Sequence, residues 1–173
     1  MLLSPVLYYT TIPSPVGQLR LMASDKGLCA VLFNSGRDAK VSFNGGMERN
    51  DEHPILKKAE AQLAEYFSGK RKKFDVKLDM RGTVFQINAW RELQNIPYGK
   101  TISYGEQAKR LGDAKKSRAV GMANGRNPLS IIVPCHRVIG ASGALTGFGG
   151  GLKTKEYLLD LEKYSALKND HKK

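Results

Sequence analysis

Hydrophobic and polar positions in the first 33 residues follow the pattern of short antiparallel strands. Three apolar segments have the aliphatic, aromatic and β-branched composition that strands favour: residues 7–12, 18–23 and 28–33. Turn-forming sequences at residues 14–17 and 25–27 separate them. Residues 34–52 are polar and contain Gly and Asn, so they predict a loop with one short strand at residues 40–43.

A change to helical spacing begins at Pro54, which suits the first turn of a helix. The apolar positions recur at intervals of three and four: Ile55, Ala59, Leu63, Tyr66 and Phe67. Gly69 predicts the end of this helix. The charge run at residues 70–73 then predicts a solvated linker, with a phosphate contact as the alternative.

The second half of the chain is predicted to be mostly helical. Two capping boxes, Thr83 with Gln86 and Ser103 with Glu106, each mark a helix start. The first helix carries Phe85, Ile87, Trp90 and Leu93 and is broken by residues 95–99. The second stops at Gly112, and Asp113 can cap a third that runs from 114 to about 123.

Two short helices around a Gly-containing turn are typical of a helix-turn-helix, although many helical pairs bind nothing. The apolar run at residues 131–133 predicts a buried strand that ends near Cys135. A glycine-rich segment, 143–151, precedes a final amphipathic helix with Leu152, Leu158, Leu161 and Tyr164. The whole pattern predicts an α+β protein with an N-terminal α/β domain, 1–80, and a mostly helical domain, 81–173.

The charge balance points to a polyanionic partner. The chain of 173 residues has a formal net charge of +12, from 28 Lys and Arg against 16 Asp and Glu. Residues 1–80 hold 12 basic and 9 acidic residues, whereas residues 81–173 hold 16 and 7. The excess therefore lies in the half that contains Cys135, which favours nucleic acid as the partner.

Other features of the composition exclude several classes of protein. No apolar run approaches the length of a membrane span, and no signal peptide is visible. Two cysteines, Cys29 and Cys135, are too few for a disulfide scaffold. Free thiols fit a reducing compartment, so we expect a cytoplasmic protein that does not contact a membrane.

The sequence Pro134-Cys135-His136-Arg137 carries the candidate chemistry. A thiol attacks as the thiolate, and a neighbouring imidazole is a common means of forming it. The alternative is a buried core cysteine that happens to precede a histidine.

Taken together, the second half resembles the O6-alkylguanine-DNA alkyltransferase family of direct-reversal DNA repair proteins, above all its small bacterial and archaeal members. The matching segments run continuously from Gly82 to Glu162: 82–86, 96–99, 102–104, 117–121, 123–124, 126–128, 132–140, 146–152 and 155–159. The N-terminal third is similar but less specific. The resemblance implies a ribonuclease H-like N-terminal domain and a winged-helix-like C-terminal domain.

The resemblance also implies catalytic roles. Cys135 would be both nucleophile and acceptor, and because a thioether has no easy leaving group the protein would react once. His136 resembles the family's base, which acts through a water, and Glu162 the carboxylate that orients it. By pattern alone Glu162 is a surface charge. Tyr104 is similar to the tyrosine that donates a hydrogen bond or proton to guanine, and Asn127 to a residue that holds the active-site loop.

Binding roles follow from the same resemblance. Arg118 resembles the arginine that fills the gap left by a flipped nucleotide, which enters from the minor groove. Its small neighbours would allow close approach to DNA: Ser117, Ala119 and Gly121. Basic residues would contact phosphates: Lys109, Arg110, Lys115, Lys116 and Arg126. The Val138 carbonyl and the Gly149 amide would recognise the guanine edge, and Phe148 stands where many members have tyrosine.

We expect no cofactor and no required metal. Some relatives carry a structural zinc, but Cys29, His53 and His171 fall short of a four-ligand site. The implied partner is double-stranded DNA carrying O6-alkylguanine, bound by a monomer. Cooperative binding, alkyl size and O4-alkylthymine repair stay open.

Three rival functions remain to be tested. The first is a lesion-binding protein without repair activity, although such relatives lack the cysteine. The second is a helix-turn-helix regulator that senses alkylation, and the third is a general thiol enzyme.

Overall fold

The N-terminal part is a four-stranded sheet. The computed structural model describes residues 6–34, 43 and 45–170. The strands are β1 (Leu7–Ile12), β2 (Leu19–Ser24), β3 (Gly27–Phe33) and β4 (Met47–Arg49), in the order β3-β2-β1-β4. The first three pair antiparallel, as predicted, and β4 lies parallel to β1. Most of the strand predicted at residues 40–43 lies outside the described residues.

Helix α1 (Pro54–Phe67) covers one face of this sheet. Pro54 occupies the first turn as predicted, and the buried His53 caps the helix by accepting a hydrogen bond from the Ile55 amide. The buried face of α1 consists of Leu56, Ala59, Gln62, Leu63 and Tyr66. Its last buried residue, Tyr66, points towards the C-terminal part of the chain.

The C-terminal part is helical, which confirms the α+β class. Its longer elements are α2 (Val84–Leu93), α3 (Tyr104–Arg110), α4 (Ser117–Gly125) and α5 (Leu152–Asp170). The Thr83–Gln86 capping box is formed in both directions. At α3 only Ser103 caps, because the Glu106 carboxylate binds Arg110 one turn further along the helix.

The predicted helix-turn-helix is present. Gly112 has a φ of +102°, a conformation that glycine adopts with little strain, and it turns the chain after α3. Asp113 then caps a short 3₁₀ turn at residues 114–116 that leads into α4. The side-chain amides of Gln107 and Asn124 exchange two hydrogen bonds and hold α3 against α4.

The segment 131–133 is buried but is not a strand, so that prediction was wrong. It forms consecutive turns, with hydrogen bonds from the Ile132 amide to the Ser130 carbonyl and from the Val133 amide to the Leu129 carbonyl. Ile131 has a φ of +75°, which no extended strand can contain. Burial on all sides produces the same apolar run as a central strand, and periodicity cannot separate the two.

A short parallel pair of strands follows these turns. Strand β5 (Ile102–Ser103) pairs with β6 (Val138–Ile139), which directly follows a 3₁₀ turn at Cys135–Arg137. Because β5 runs into α3, this pairing fixes Tyr104 beside the 3₁₀ turn.

Helix α5 buries only part of the predicted face, because Leu158 is buried and Leu161 is half-buried against the core, as predicted. Leu152 and Tyr164 are exposed, whereas the buried positions follow helical spacing: Lys155, Leu158, Glu162 and Ser165. Two of these four residues are charged, so hydrophobic periodicity could not identify this face.

The two parts share one apolar core. The Val31 amide of β3 donates to the Pro128 carbonyl at 2.8 Å, and Phe33 packs edge-on against Phe148. Buried residues from both parts form a single cluster around these contacts. Among the helices of the described residues, none is long and apolar enough to cross a membrane.

Candidate active site

Cys135 begins the 3₁₀ turn and is nearly buried, with 8% of its surface exposed. Asn127 organises the turns that precede it. Its side-chain nitrogen donates to the Val133 carbonyl at 2.8 Å, and its oxygen accepts from the Leu129 amide at 3.0 Å. Asn127 thus connects the turns at residues 129–133 that lead into Cys135.

The surroundings of Cys135 favour the protonated thiol. Burial raises the pKa of this thiol, and the hydrogen bond from Asn127 and the nearby positive charge of Lys155 only partly offset the effect. A thiol in this setting could attack as the thiolate only if a base took its proton.

His136 is fully buried and is bound to Glu162. Its Nε2 lies 2.5 Å from a carboxylate oxygen of Glu162, so this nitrogen carries the proton and Nδ1 is the basic atom. Burial lowers the pKa of His136, against the opposing effect of Glu162, which favours the neutral imidazole. The Nδ1 atom is buried and has no hydrogen-bond partner among the described residues.

Glu162 is the centre of a buried hydrogen-bond network, not a surface charge. Arg137 donates to both carboxylate oxygens, at 2.7 and 3.2 Å, and the Gly99 amide donates at 3.2 Å. Tyr66 of α1 donates its hydroxyl at 2.6 Å. Burial alone would raise the pKa of Glu162, but the hydrogen bonds from His136 and Arg137, the charge of Arg137 and that of His136 when protonated lower it to about 2.

The close contact at Gly99 depends on glycine. Gly99 has a φ of +78°, and a Cβ there would lie 3.2 Å from the Ala166 Cβ and 3.4 Å from the Glu162 carbonyl oxygen. A side chain at this position would push α5 away and weaken the amide bond to Glu162.

Tyr104 is partly exposed at the start of α3. Its hydroxyl lies 2.9 Å from the hydroxyl of Thr146, in the loop before α5. Gly121 of α4 faces the Tyr104 ring, where an added Cβ would make an ordinary van der Waals contact at 3.7 Å.

Lys155 is fully buried behind Tyr104. Its ammonium group donates to the carbonyls of Val138 and Thr146, at 2.7 and 2.9 Å, and lies 5.9 Å from the Tyr104 ring centroid. Burial lowers the pKa of Lys155. This lysine therefore connects the segment after Cys135 to the Thr146 loop.

One face of α4 is exposed beside this site. The predicted DNA-contacting residues are exposed except for two that are half-buried, Ser117 and Gly121; the exposed ones are Lys115, Lys116, Arg118, Ala119 and Arg126. Lys109 is exposed at the end of α3, whereas Arg110 is paired with Glu106 at 3.2 Å. The basic side chains thus surround a helix surface of small residues.

Two family models match consecutive parts of the chain. Residues 7–80 match the ribonuclease-like domain of 6-O-methylguanine DNA methyltransferase, and residues 84–164 match its DNA binding domain. A methylated-DNA–protein-cysteine methyltransferase from Methanosarcina acetivorans is 49% identical over 90% of this chain and 98% of its own length. The chain belongs to the 6-O-methylguanine DNA methyltransferase family.

Other relatives agree with this assignment. The methylated-DNA–protein-cysteine methyltransferase of Haemophilus influenzae is 42% identical over 91% of this chain and 87% of its own length. A crystal structure of Mycobacterium tuberculosis OGT in complex with DNA superimposes with a TM-score of 0.82. That structure is 46% identical and covers 91% of this chain and 94% of its own.

In this chain, the guanine-contacting candidates lie around Lys155 of α5 and the loop that contains Thr146. The Val138 carbonyl accepts the bond from Lys155, and a carbonyl oxygen has capacity for a second donor. Phe148 is 7% exposed and packs on Phe33, so it supports the site from the core. Gly149 follows it and is half-buried.

The zinc candidates have other roles. His53 caps α1 and stacks on Tyr8, while Cys29 is buried in β3 near the Asp79 carboxylate. Within residues 6–34, 43 and 45–170, no three His, Cys, Asp or Glu residues are grouped to hold a metal. His171 lies outside the described residues.

Four residues of the site were missed by reasoning from the sequence: Tyr66, Arg137, Thr146 and Lys155. Lys155 lies on one helical face with Leu158 and Glu162, but as a charged residue it gives no hydrophobic signal for that face. Arg137 and Thr146 lie in segments that match the family, but the contacts of Arg137, Thr146 and Tyr66 could not be predicted because their partners are distant along the chain.

Proposed function

We propose that this protein repairs DNA by direct reversal, transferring an alkyl group from O6 of guanine to the sulfur of Cys135. The observation that carries the proposal is the buried arrangement of Cys135, neutral His136 and ionised Glu162 in a chain of this family. Membership in the family supports O6-alkylguanine as the substrate, and the geometry supports Cys135 as the nucleophile and His136 as its base.

The reaction needs one proton to leave the thiol and one to reach the guanine. His136 Nδ1 takes the thiol proton through a water, and Glu162 stabilises the imidazolium that forms. Sulfur then bonds to the alkyl carbon as the carbon–O6 bond breaks. Tyr104 donates a proton to the departing guanine ring. The proton held by His136 is then released to solvent, and Tyr104 regains a proton from solvent. The product thioether is stable, so each molecule reacts once.

Access to O6 requires that the nucleotide leave the base stack. We assign Arg118 to the gap that the nucleotide leaves, with Ser117, Ala119 and Gly121 allowing close approach in the minor groove. Basic residues bind the flanking phosphates: Lys115, Lys116 and Arg126. The flipped guanine is held by the Val138 carbonyl and the Gly149 amide, with Phe148 as part of the pocket wall.

The setting of this reaction is part of the same proposal. The protein acts in the cytoplasm as a monomer on duplex DNA, without a cofactor. The chain divides near residue 80 into an N-terminal domain that supports the site and a C-terminal domain that binds DNA and accepts the alkyl group.

The first prediction tests the acceptor directly. Duplex DNA with tritium-labelled O6-methylguanine should transfer about one label per protein molecule, and Cys135→Ser should abolish transfer while DNA binding persists. The measurement is label on protein, mapped by mass spectrometry. Cys29→Ala is the matched control and should transfer at the normal rate.

Each rival function predicts a different result. A lesion-binding protein would bind the duplex and gain no label. A thiol hydrolase would turn over many times, and an alkylation sensor would accept label from simple methyl donors as readily as from DNA. Label found on Cys29 would refute the assignment of Cys135.

A further inference from the structure

Tyr66 is the one residue of the N-terminal sheet-and-helix part whose hydrogen bond reaches the Glu162 carboxylate among the described residues. Its hydroxyl donates to Oε2 of Glu162 at 2.6 Å, and both side chains are essentially inaccessible to solvent. The residues with proposed roles in the reaction all lie beyond residue 100: Cys135, His136, Glu162 and Tyr104. The bond therefore connects α1 to chemistry carried by the other half of the chain.

The packing of the Tyr66 ring does not require its hydroxyl group. The ring packs against Phe67, Phe74 and Tyr98, and a phenylalanine would make the same contacts. A buried hydroxyl costs free energy unless it is bonded, so a core position gains nothing from it by itself. Burial and the Glu162 charge raise the pKa of Tyr66 well above its usual range, so it remains a donor.

Tyr66 and His136 bind the same oxygen of Glu162. The Tyr66 hydroxyl lies 2.6 Å and His136 Nε2 2.5 Å from Oε2, which also accepts from Arg137 Nη2 at 3.2 Å, while Oε1 accepts from Arg137 Nε and the Gly99 amide. A donor on Oε2 fixes the carboxylate and reduces the negative charge available to the imidazole. Four titratable or charged side chains from different segments face the His136–Glu162 pair: Tyr66, Tyr98, Arg137 and Lys155.

We propose that Tyr66 is a positioning residue for alkyl transfer, which holds Glu162 against His136 and limits how strongly Glu162 stabilises the imidazolium. The inference rests on the proposed function, because it needs His136 to act as the base. It gives the N-terminal part a role in the reaction itself.

Tyr66→Phe tests the inference through the pH profile of alkyl transfer. Free O6-benzylguanine is the substrate, so that DNA binding does not enter the measurement. Without the hydroxyl, Glu162 is a stronger partner for the imidazolium and the pKa of His136 rises. The acid limb of the profile should move to higher pH by on the order of half to one unit, with a smaller change on the plateau.

Two further variants complete the test. Tyr98→Phe removes a hydroxyl from the same cluster, 6.2 Å away between ring centroids, and should leave the limb in place. Replacing Tyr66 with 3-fluorotyrosine keeps the ring and strengthens the donor, so the limb should move to lower pH. The 3-fluorotyrosine variant tests the inference by itself if Tyr66→Phe does not fold.

The outcomes separate the inference from the function on which it rests. An unmoved limb in folded Tyr66→Phe, or an equal shift in Tyr98→Phe, overturns the role of Tyr66. Glu162→Gln should slow transfer and alter the limb strongly. If Glu162→Gln behaves as the unmodified protein does, the proposed relay itself is wrong.

Discussion

At the scale of single residues, burial decides the resting protonation state of the proposed nucleophile, Cys135, and its proposed base, His136. It raises the pKa of Cys135 and lowers that of His136, so both groups rest uncharged. An ion pair of thiolate and imidazolium would be ready to react with any electrophile that entered. In the proposed reaction a neutral pair is activated when the proton moves to His136, and the ionised Glu162 is already in place to stabilise the new charge.

Lys155 gives the second prediction. Lys155→Met keeps a long apolar stem but leaves the Val138 and Thr146 carbonyls without their donor, and it removes a positive charge near Cys135. We expect the thiol pKa to rise further and alkyl transfer to slow. The measurement is the pH dependence of iodoacetamide labelling at Cys135, followed by mass spectrometry.

Lys153→Met is the control for Lys155→Met. Lys153 lies on the same helix but is exposed, so its replacement removes the same charge without removing a buried hydrogen bond. Unfolding free energy should fall by roughly 1–3 kcal/mol in Lys155→Met, since a buried acceptor is left unsatisfied, and should hardly change in Lys153→Met. Identical labelling profiles in the two variants would count against the effect of Lys155 on the thiol.

At the scale of secondary-structure elements, the helix-turn-helix is held by polar bonds as well as apolar packing. Gln107 of α3 and Asn124 of α4 exchange hydrogen bonds at 3.0 and 2.8 Å, and Gln107 also donates to the Ala89 carbonyl of α2 at 3.3 Å. Trp90 of α2 donates to the Ala123 carbonyl of α4. Three helices are thus fixed at one point, which sets the angle of the exposed α4 face.

The third prediction concerns this amide pair. Gln107→Leu should lower the free energy of unfolding by roughly 1–3 kcal/mol, because the buried Asn124 amide loses its partner. Adding Asn124→Leu should restore part of the loss. Urea denaturation of the single and double variants measures the coupling. Strictly additive losses would show that the two amides act independently.

The fourth prediction concerns the exposed face of α4. If Arg118 fills the gap in the duplex, Arg118→Ala should slow repair of duplex DNA far more than transfer from free O6-benzylguanine. Lys115→Ala is the control, because it loses a charge from the turn that leads into the same helix. It should reduce DNA binding and the salt dependence of binding about as much as Arg118→Ala does. The additional loss for Arg118 should be on the order of a few kcal/mol in the duplex alone. Equal duplex repair rates for the two variants would leave Arg118 a phosphate contact.

At the scale of the whole molecule, stability and chemistry depend on the same buried charges. Glu162 and Arg137 lie inside the core that joins the two parts, next to Tyr66 of α1. The pKa of Glu162 is about 2, below its unfolded value, and that of His136 is also lowered. The folded state therefore binds fewer protons than the unfolded state at these two sites, and acid favours unfolding.

The fifth prediction is a two-stage loss of stability in acid. His136 contributes stability that is complete above its unfolded pKa of about 6.5 and declines below it. Glu162 contributes on the order of 3 kcal/mol, lost as the pH falls from about 4.5 towards 2. Melting temperatures across this range should fall in both stages. Glu162→Gln should have a lower melting temperature at neutral pH, because Arg137 is left unpaired. Its melting temperature should also show little of the second fall below about pH 4.5.

The sequence by itself determined the features that depend on near neighbours. The capping residues Thr83, Ser103 and Asp113 act within three positions of themselves, so the helix starts could be predicted. The alternation of the N-terminal strands and the continuous motif around Cys135 were equally local, and they were sufficient to indicate the fold class and the family.

Only the tertiary structure decided which distant groups meet. Tyr66 and Glu162 are 96 positions apart, and no rule of spacing joins a helix of the first half to the last helix. The buried face of α5 carries Lys155 and Glu162, which hydrophobic periodicity assigns to solvent. Charged side chains enter a core only when partners from elsewhere in the chain satisfy them, and those partners are defined by packing that forms after the local elements exist.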